Sequence, residues 1–244
     1  MHPFEALTGR TARFPEAWYQ GRAAFGGLAA GALVRAICGL TDRPLKSVTV
    51  QLLAPARGEA AVEAGVLREG RTLTHAWARI PGLAAAQAVL GEAREHPVRW
   101  QDLEIPSVPP PEEVEVVDME ALGGPAFTRH FDYRYVGPVP MSGVDRHETA
   151  VWIRPRPSVR PDAAMIVALL DAGPPPVLIP MSTPRMLSTV ELRVRVHHLP
   201  PGDDHLLLTA QNATVAAGWS DEVARLWSRQ GTLIAECQQL IALF

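Results

Sequence analysis

Asp171 ends the otherwise apolar run AAMIVALLDAG, and a side chain of that type at that place could act as a base. At the C-terminal end of a helix a carboxylate meets the negative end of the macrodipole, and burial there raises its pKa further. The alternative is a structural acid bonding the backbone of the turn before Gly173. A second candidate lies in the closing stretch GTLIAECQQLIALF. In an extended strand successive side chains point to opposite faces, so Gln239 shares a face with Leu233, Ala235, Cys237 and Ile241, whereas Gln238 falls in phase with Glu236. A buried amide destabilises by about 1–3 kcal/mol unless it finds partners, so Gln239 requires a neighbouring strand, a bound water or a role in a site. Two hydroxyls, Ser188 and Thr189, open the strand STVELRVRV. Strict alternation puts Ser188 with Val190, Leu192 and Val194, and Thr189 with Glu191, Arg193 and Arg195. Gly26 and Gly27, in FGG before an apolar helix, offer backbone N–H groups where a developing oxyanion could be held, or else permit close packing.

Other chemistries are poorly represented. The formal net charge is −3 with acids and bases interspersed, which argues against nucleic acid or an anionic membrane surface as partner. The two cysteines, Cys38 and Cys237, sit among apolar residues and suit reduced thiols in a cytoplasmic protein. No Cys/His grouping has zinc spacing, so no metal is expected. His197 and His198 lack any accompanying G-x-S-x-G elbow and read as strand-end residues. The opening MHPFEALTGRTARFPEAWYQ lacks a leader's basic start and apolar run, and no later stretch has membrane-spanning length.

The elements that must position these residues come in two similar sets. Apolar helices are expected over roughly residues 26 to 38, stopped by Gly39, and in RPDAAMIVALLDAGPPP, with Pro161 at its first position. Both are apolar nearly all round and therefore buried. LKSVTVQLLAPARG parallels LSTVELRVRVHHLPPG, and two further pairs of strand-like segments follow in the same order. This is the pattern of an α+β double hotdog, two repeats each with an antiparallel sheet wrapped around a long central helix. Residues 1–104 form the first repeat, the Pro-rich acidic segment 105–118 the linker, and residues 119–244 the second repeat, which carries the candidate residues.

FGGLAAGALVRA, VTVQLLAPARGEAAVEAGVLREGRTLTHAWARI, WIRPRP, ALLDAGPPP, STVELRVRVHH and GTLIAECQQ, in this order, resemble the double-hotdog acyl-CoA thioesterases of the type II group and their thioesterase-like relatives. That resemblance implies hydrolysis of an acyl-CoA to free acid and CoA by a water held by Asp171, Thr189 and Gln239, with Ser188 and Gln238 as the neighbouring substitutes. Gly26 and Gly27 would then face the oxyanion. It implies no cofactor beyond the CoA of the substrate, no nucleic-acid or membrane partner, and a cytoplasmic setting in lipid metabolism. A homo-oligomer is compatible with it. The first repeat lacks the set, with no acid from Ala23 to Leu40 and Val89 and Leu90 near the positions paralleling the glutamines, so one site per chain is expected. A hotdog hydratase would require a His on a central helix, which neither carries. The competing reading is an acyl-binding hotdog protein without turnover.

Overall fold

The computed structural model describes residues 10–98, 100–183 and 185–244. Residues 1–9, where no leader is expected, lie outside that set. In the first half β1 (Thr11–Phe14), β2 (Tyr19–Gln20) and β3 (Ala23–Ala24) lead into α1 (Gly26–Cys38). Then come β4 (Leu45–Leu52), β5 (Gly58–Ala61), β6 (Glu63–Glu69), β7 (Leu73–Ile80) and β8 (Ala84–Gly91). In the second half β9 (Phe131–Tyr135) and β10 (Glu148–Pro155) precede α2 (Ala163–Ala172). It is followed by β11 (Leu187–Val196), β12 (Leu206–Ala216), β13 (Trp219–Trp227) and β14 (Leu233–Leu243).

Ten strands form one antiparallel sheet in the order β6-β7-β8-β4-β11-β14-β13-β12-β10-β9. The seam between the halves is β4 against β11, with Gln51 opposite Glu191 and Ser47 opposite Arg195. Both helices pack on one face, so the two repeats stand side by side as an α+β double hotdog. Beneath α1 that face is lined by the buried Ala76, Ala78, Ala84, Ala86 and Ala88, whose small side chains let the helix lie close.

Local signals set the helix ends. Gly39 stops α1, its N–H donating to the Arg35 carbonyl at 3.0 Å. Pro161, expected at the first position of α2, instead precedes the helix. Asp162 takes the N-cap in an extended conformation and its side chain accepts from the Met165 N–H at 2.9 Å, satisfying an otherwise unpaired donor. The helices run antiparallel. Arg35 near the end of α1 pairs with Asp162, and at the other end Gly27 lies so close to α2 that a Cβ there would stand 2.9 Å from the Ala168 carbonyl oxygen.

Residues 105–118, expected as a linker, cross the sheet face opposite the helices. Ile105, Val108 and Val114 cover Trp152, Leu207, Trp227 and Leu233. The Trp152 indole N–H donates to the Pro109 carbonyl at 2.9 Å, and Arg134 donates to those of Pro111 and Val114. The carbonyls of Pro109, Pro111 and Val114 thus meet side-chain donors in place of strand partners.

Candidate active site

Gln239 lies on the inner face of β14 and is 4 % exposed, while Gln238 points outward and is exposed. From Ala235 to Ile241 parity along this strand is unbroken, because the extra residue in the pairing with β11 lies on β11; the irregularity against β13 falls earlier, at Ile234, and turns Leu233, expected on the Gln239 face, to the opposite one. On β11 parity fails. Thr189 pairs with Ile241 and Glu191 with Leu240, so Val190 is an extra residue in the ladder. The bulge returns Thr189 to the inner face shared with Leu192 and Gln239 and leaves Ser188 exposed. Alternation alone favours Ser188 for the core side; the inserted residue reverses that assignment.

Three side chains from three elements converge. The Gln239 Nε2 donates to Asp171 Oδ1 at 2.9 Å and to Thr189 Oγ1 at 2.6 Å, and Thr189 Oγ1 donates to Asp171 Oδ1 at 3.2 Å. Asp171 and Thr189 are intermediate in exposure as residues, whereas Gln239 is buried. The end of α2 that presents Asp171 is fixed by the fully buried Tyr133 of β9, whose hydroxyl donates to the Ala172 carbonyl at 2.9 Å.

The antiparallel helices add a fourth contact. The backbone N–H of Gly27, in the first turn of α1, donates to the Asp171 carboxylate. Desolvation pushes the Asp171 pKa up to about 7, against the opposing pull of the hydrogen bonds from Gly27, Thr189 and Gln239. A side chain on Gly26 would place a Cβ 2.9 Å from Asp171 Oδ2 and 2.5 Å from Leu52 Cδ1, and one on Gly27 would strike Phe25 Cε2 at 2.4 Å. Both glycines therefore permit a close approach of backbone to carboxylate, and the Gly27 donor is already engaged.

His197 stands at the opposite end of β11 from Thr189, 3.5 Å from Glu236. The pseudo-equivalent end of α1 is closed by the Arg35–Asp162 ion pair, and Leu90, near the position paralleling Gln239, is fully buried. Among the described residues the acid–hydroxyl–amide set is thus assembled once. Sequence reasoning passed over two residues beside it. Glu222 of β13 lies directly opposite Gln239 and is 3 % exposed, a placement signalled by its alternation with Ser220, Ala224 and Leu226. Tyr133 alternates with Phe131 and Tyr135 in FDYRY, a pattern that signals a shared face but not the bond to the Ala172 carbonyl.

Acyl-CoA thioesterase family models match both repeats, the N-terminal domain over residues 14–99 and the C-terminal domain over residues 106–243. The chain belongs to the acyl-CoA thioesterase family. It is a thioester hydrolase of the double-hotdog kind. No curated protein matches the thioesterase in sequence. Among solved structures, a conserved protein of unknown function with a hot dog fold from Alicyclobacillus acidocaldarius is 25% identical, with a TM-score of 0.91 over 100% of this chain and 98% of that one. A candidate thioesterase II from Thermobifida fusca YX is 22% identical, with a TM-score of 0.84 over 99% of this chain and 97% of that one. The acyl-CoA thioesterase II TesB2 from Mycobacterium marinum is 16% identical, with a TM-score of 0.71 over 96% of this chain and 92% of that one. The last two show the shared fold.

Proposed function

We propose that the thioesterase hydrolyses acyl-CoA with a water deprotonated by Asp171 and oriented by Thr189 and Gln239. The observation that carries this reading is the mutual bonding of the three side chains at the C-terminal end of α2. Thr189 and Gln239 both meet Asp171 Oδ1, so Oδ2, on the Gly26 side and turned from those two donors, is the oxygen placed to take a proton. A base with a pKa of about 7 is half ionised at neutral pH and strong enough to assist attack.

The water loses one proton to Oδ2 while its oxygen bonds to the thioester carbonyl carbon. The resulting oxyanion lies at the positive end of α1, where Gly26 is the glycine of the pair whose N–H remains for it. Collapse breaks the C–S bond, the CoA thiolate leaves, and Asp171 returns the proton to sulfur. Free acid and CoA result. Acyl-CoA turnover belongs to lipid metabolism, and the unpaired Cys38 and Cys237 suit the reducing cytoplasm.

The test is thiol release from acyl-CoAs of graded chain length. The parent should release CoA, and Asp171→Asn, which keeps shape but removes basicity, should lower kcat by about 10²–10⁴-fold with little change in KM. Gln239→Ala should lower it less, because the amide orients the water without accepting its proton. An Asp171→Asn protein as fast as the parent would return Asp171 to a structural role. Binding of acyl-CoAs by the parent without turnover would favour an acyl-binding protein.

A further inference from the structure

Glu222 is a buried carboxyl that the proposed reaction leaves unused. It faces Gln239 directly across the β13–β14 ladder, and its Oε2 has no hydrogen-bond partner. The Gln239 amide has a direction. Its Nε2 reaches Thr189 on β11, the strand on one side of β14, while β13 lies on the other side. The amide oxygen Oε1, which points away from Nε2, is buried without a partner. On the far flank of Glu222 stands Asn212 of β12, whose Nδ2 donates to Ser220 Oγ at 2.7 Å and whose Oδ1 is also without a partner.

The carboxyl therefore stands between two buried amide oxygens. An ionised carboxylate only accepts hydrogen bonds and would satisfy neither, whereas a carboxylic acid has one O–H to donate. The titratable groups that face it are Asp171 from α2 and the buried Cys237 thiol from β14. Both are acids, so neither draws its proton away by attraction.

We infer that Glu222 is kept as the neutral acid, donating to Gln239 Oε1, and is a positioning residue that fixes which way the amide faces. This rests on the hydrolytic reading of Asp171. If the amide turned over, its oxygen would face the Asp171 carboxylate and the donor shared by Asp171 and Thr189 would be lost. Glu222, Gln239 and Asp171 thus form a chain of donors that ends on the base. Burial first, and then the Asp171 charge, push the Glu222 pKa up to about 8, in keeping with a retained proton.

The experiment compares Glu222→Gln with Glu222→Leu, using near-UV circular dichroism to establish that each keeps the fold. The amide in Glu222→Gln still offers an N–H to Gln239, so kcat should stay within about threefold of the parent; Glu222→Leu offers nothing and kcat should fall about tenfold or more at unchanged KM. Infrared difference spectroscopy at neutral pH should show a protonated-carboxyl C=O band in the parent that Glu222→Gln removes and that persists in Asp171→Asn. The inference is overturned if Glu222→Gln is as impaired as Glu222→Leu, if folded Glu222→Leu matches the parent, or if the band does not depend on Glu222. Should no protein turn over any acyl-CoA, the hydrolytic reading fails, and the infrared band still decides the protonation of Glu222. If Glu222→Leu does not fold, the band and Glu222→Gln carry the decision.

Discussion

Asp171 lies between the carbonyl end of its own helix and the amide end of the other. Desolvation raises its pKa; the N–H of Gly27 and the donors Thr189 and Gln239 lower it, and the balance falls at about 7. If this carboxylate is the base, kcat/KM should rise about tenfold per pH unit below pH 7 and level off above it. Thr189→Val, which deletes one lowering hydrogen bond, should move that limb to higher pH; a limb unmoved by this change and by Asp171→Asn would belong to another group. Stability follows the same group with a definite sign. The folded pKa is raised above the unfolded value of about 3.9, so the stabilising contribution is complete below pH 4 and disappears as pH rises through about 7. Relative to the parent, Asp171→Asn should therefore gain on the order of a few kcal/mol between pH 4 and pH 8 in urea unfolding.

At the level of the strand, a single extra residue decides which hydroxyl reaches the carboxylate. Val190 breaks the register of β11 against β14 and turns Thr189 inward. Thr189→Val, similar in shape but lacking the hydroxyl, should lower kcat by tenfold or more (on the order of one hydrogen bond to a charged group), while Ser188→Ala should change it less than about twofold. The reverse ranking would show that the bulge does not set the site. This contrast also marks how far the sequence can be read. Gln239 and Gln238 could be told apart because period two holds from Ala235 to Ile241, although the extra residue Ile234 turns Leu233 to the other face. Thr189 could not be assigned by the same rule, because a bulge leaves no mark in STVELRVRV. The Gly27–Asp171 hydrogen bond joins residues far apart in the chain, and no local pattern encodes it. Glu222 stood in a legible alternation but reads as an ordinary polar strand residue until the neighbouring strand supplies Gln239.

At the scale of the whole molecule the two halves share one main core, beside a smaller cluster on the other face of the sheet. The cluster that contains Leu33, Val34 and Ile37 of α1 also contains Ile166 and Leu169 of α2, and the β4–β11 seam continues the sheet across both repeats. The order of elements in each repeat was legible because apolar periodicity survives even where residue identity does not. The direct contact of α1 with α2 was less so, since the helices are apolar all round and single out no face. Parent protein should unfold in one urea transition, the same by fluorescence and by far-UV circular dichroism. A fragment of residues 100–244 should lack thioesterase activity even where it keeps strand content, because the first turn of α1 and its Gly27 N–H are missing. Two separated transitions, or an active fragment, would contradict a shared core.

Two separate, identical hotdog chains meeting in this way would obey a two-fold axis, and any acid placed at one helix end would appear at the other as well. Here the ends differ: one carries the desolvated Asp171, and the other is closed by Arg35 and Asp162. Joining the halves in one polypeptide breaks the symmetry. The fold then bears the penalty of a buried ionisable group at one end only, and the opposite end remains free to stabilise the assembly.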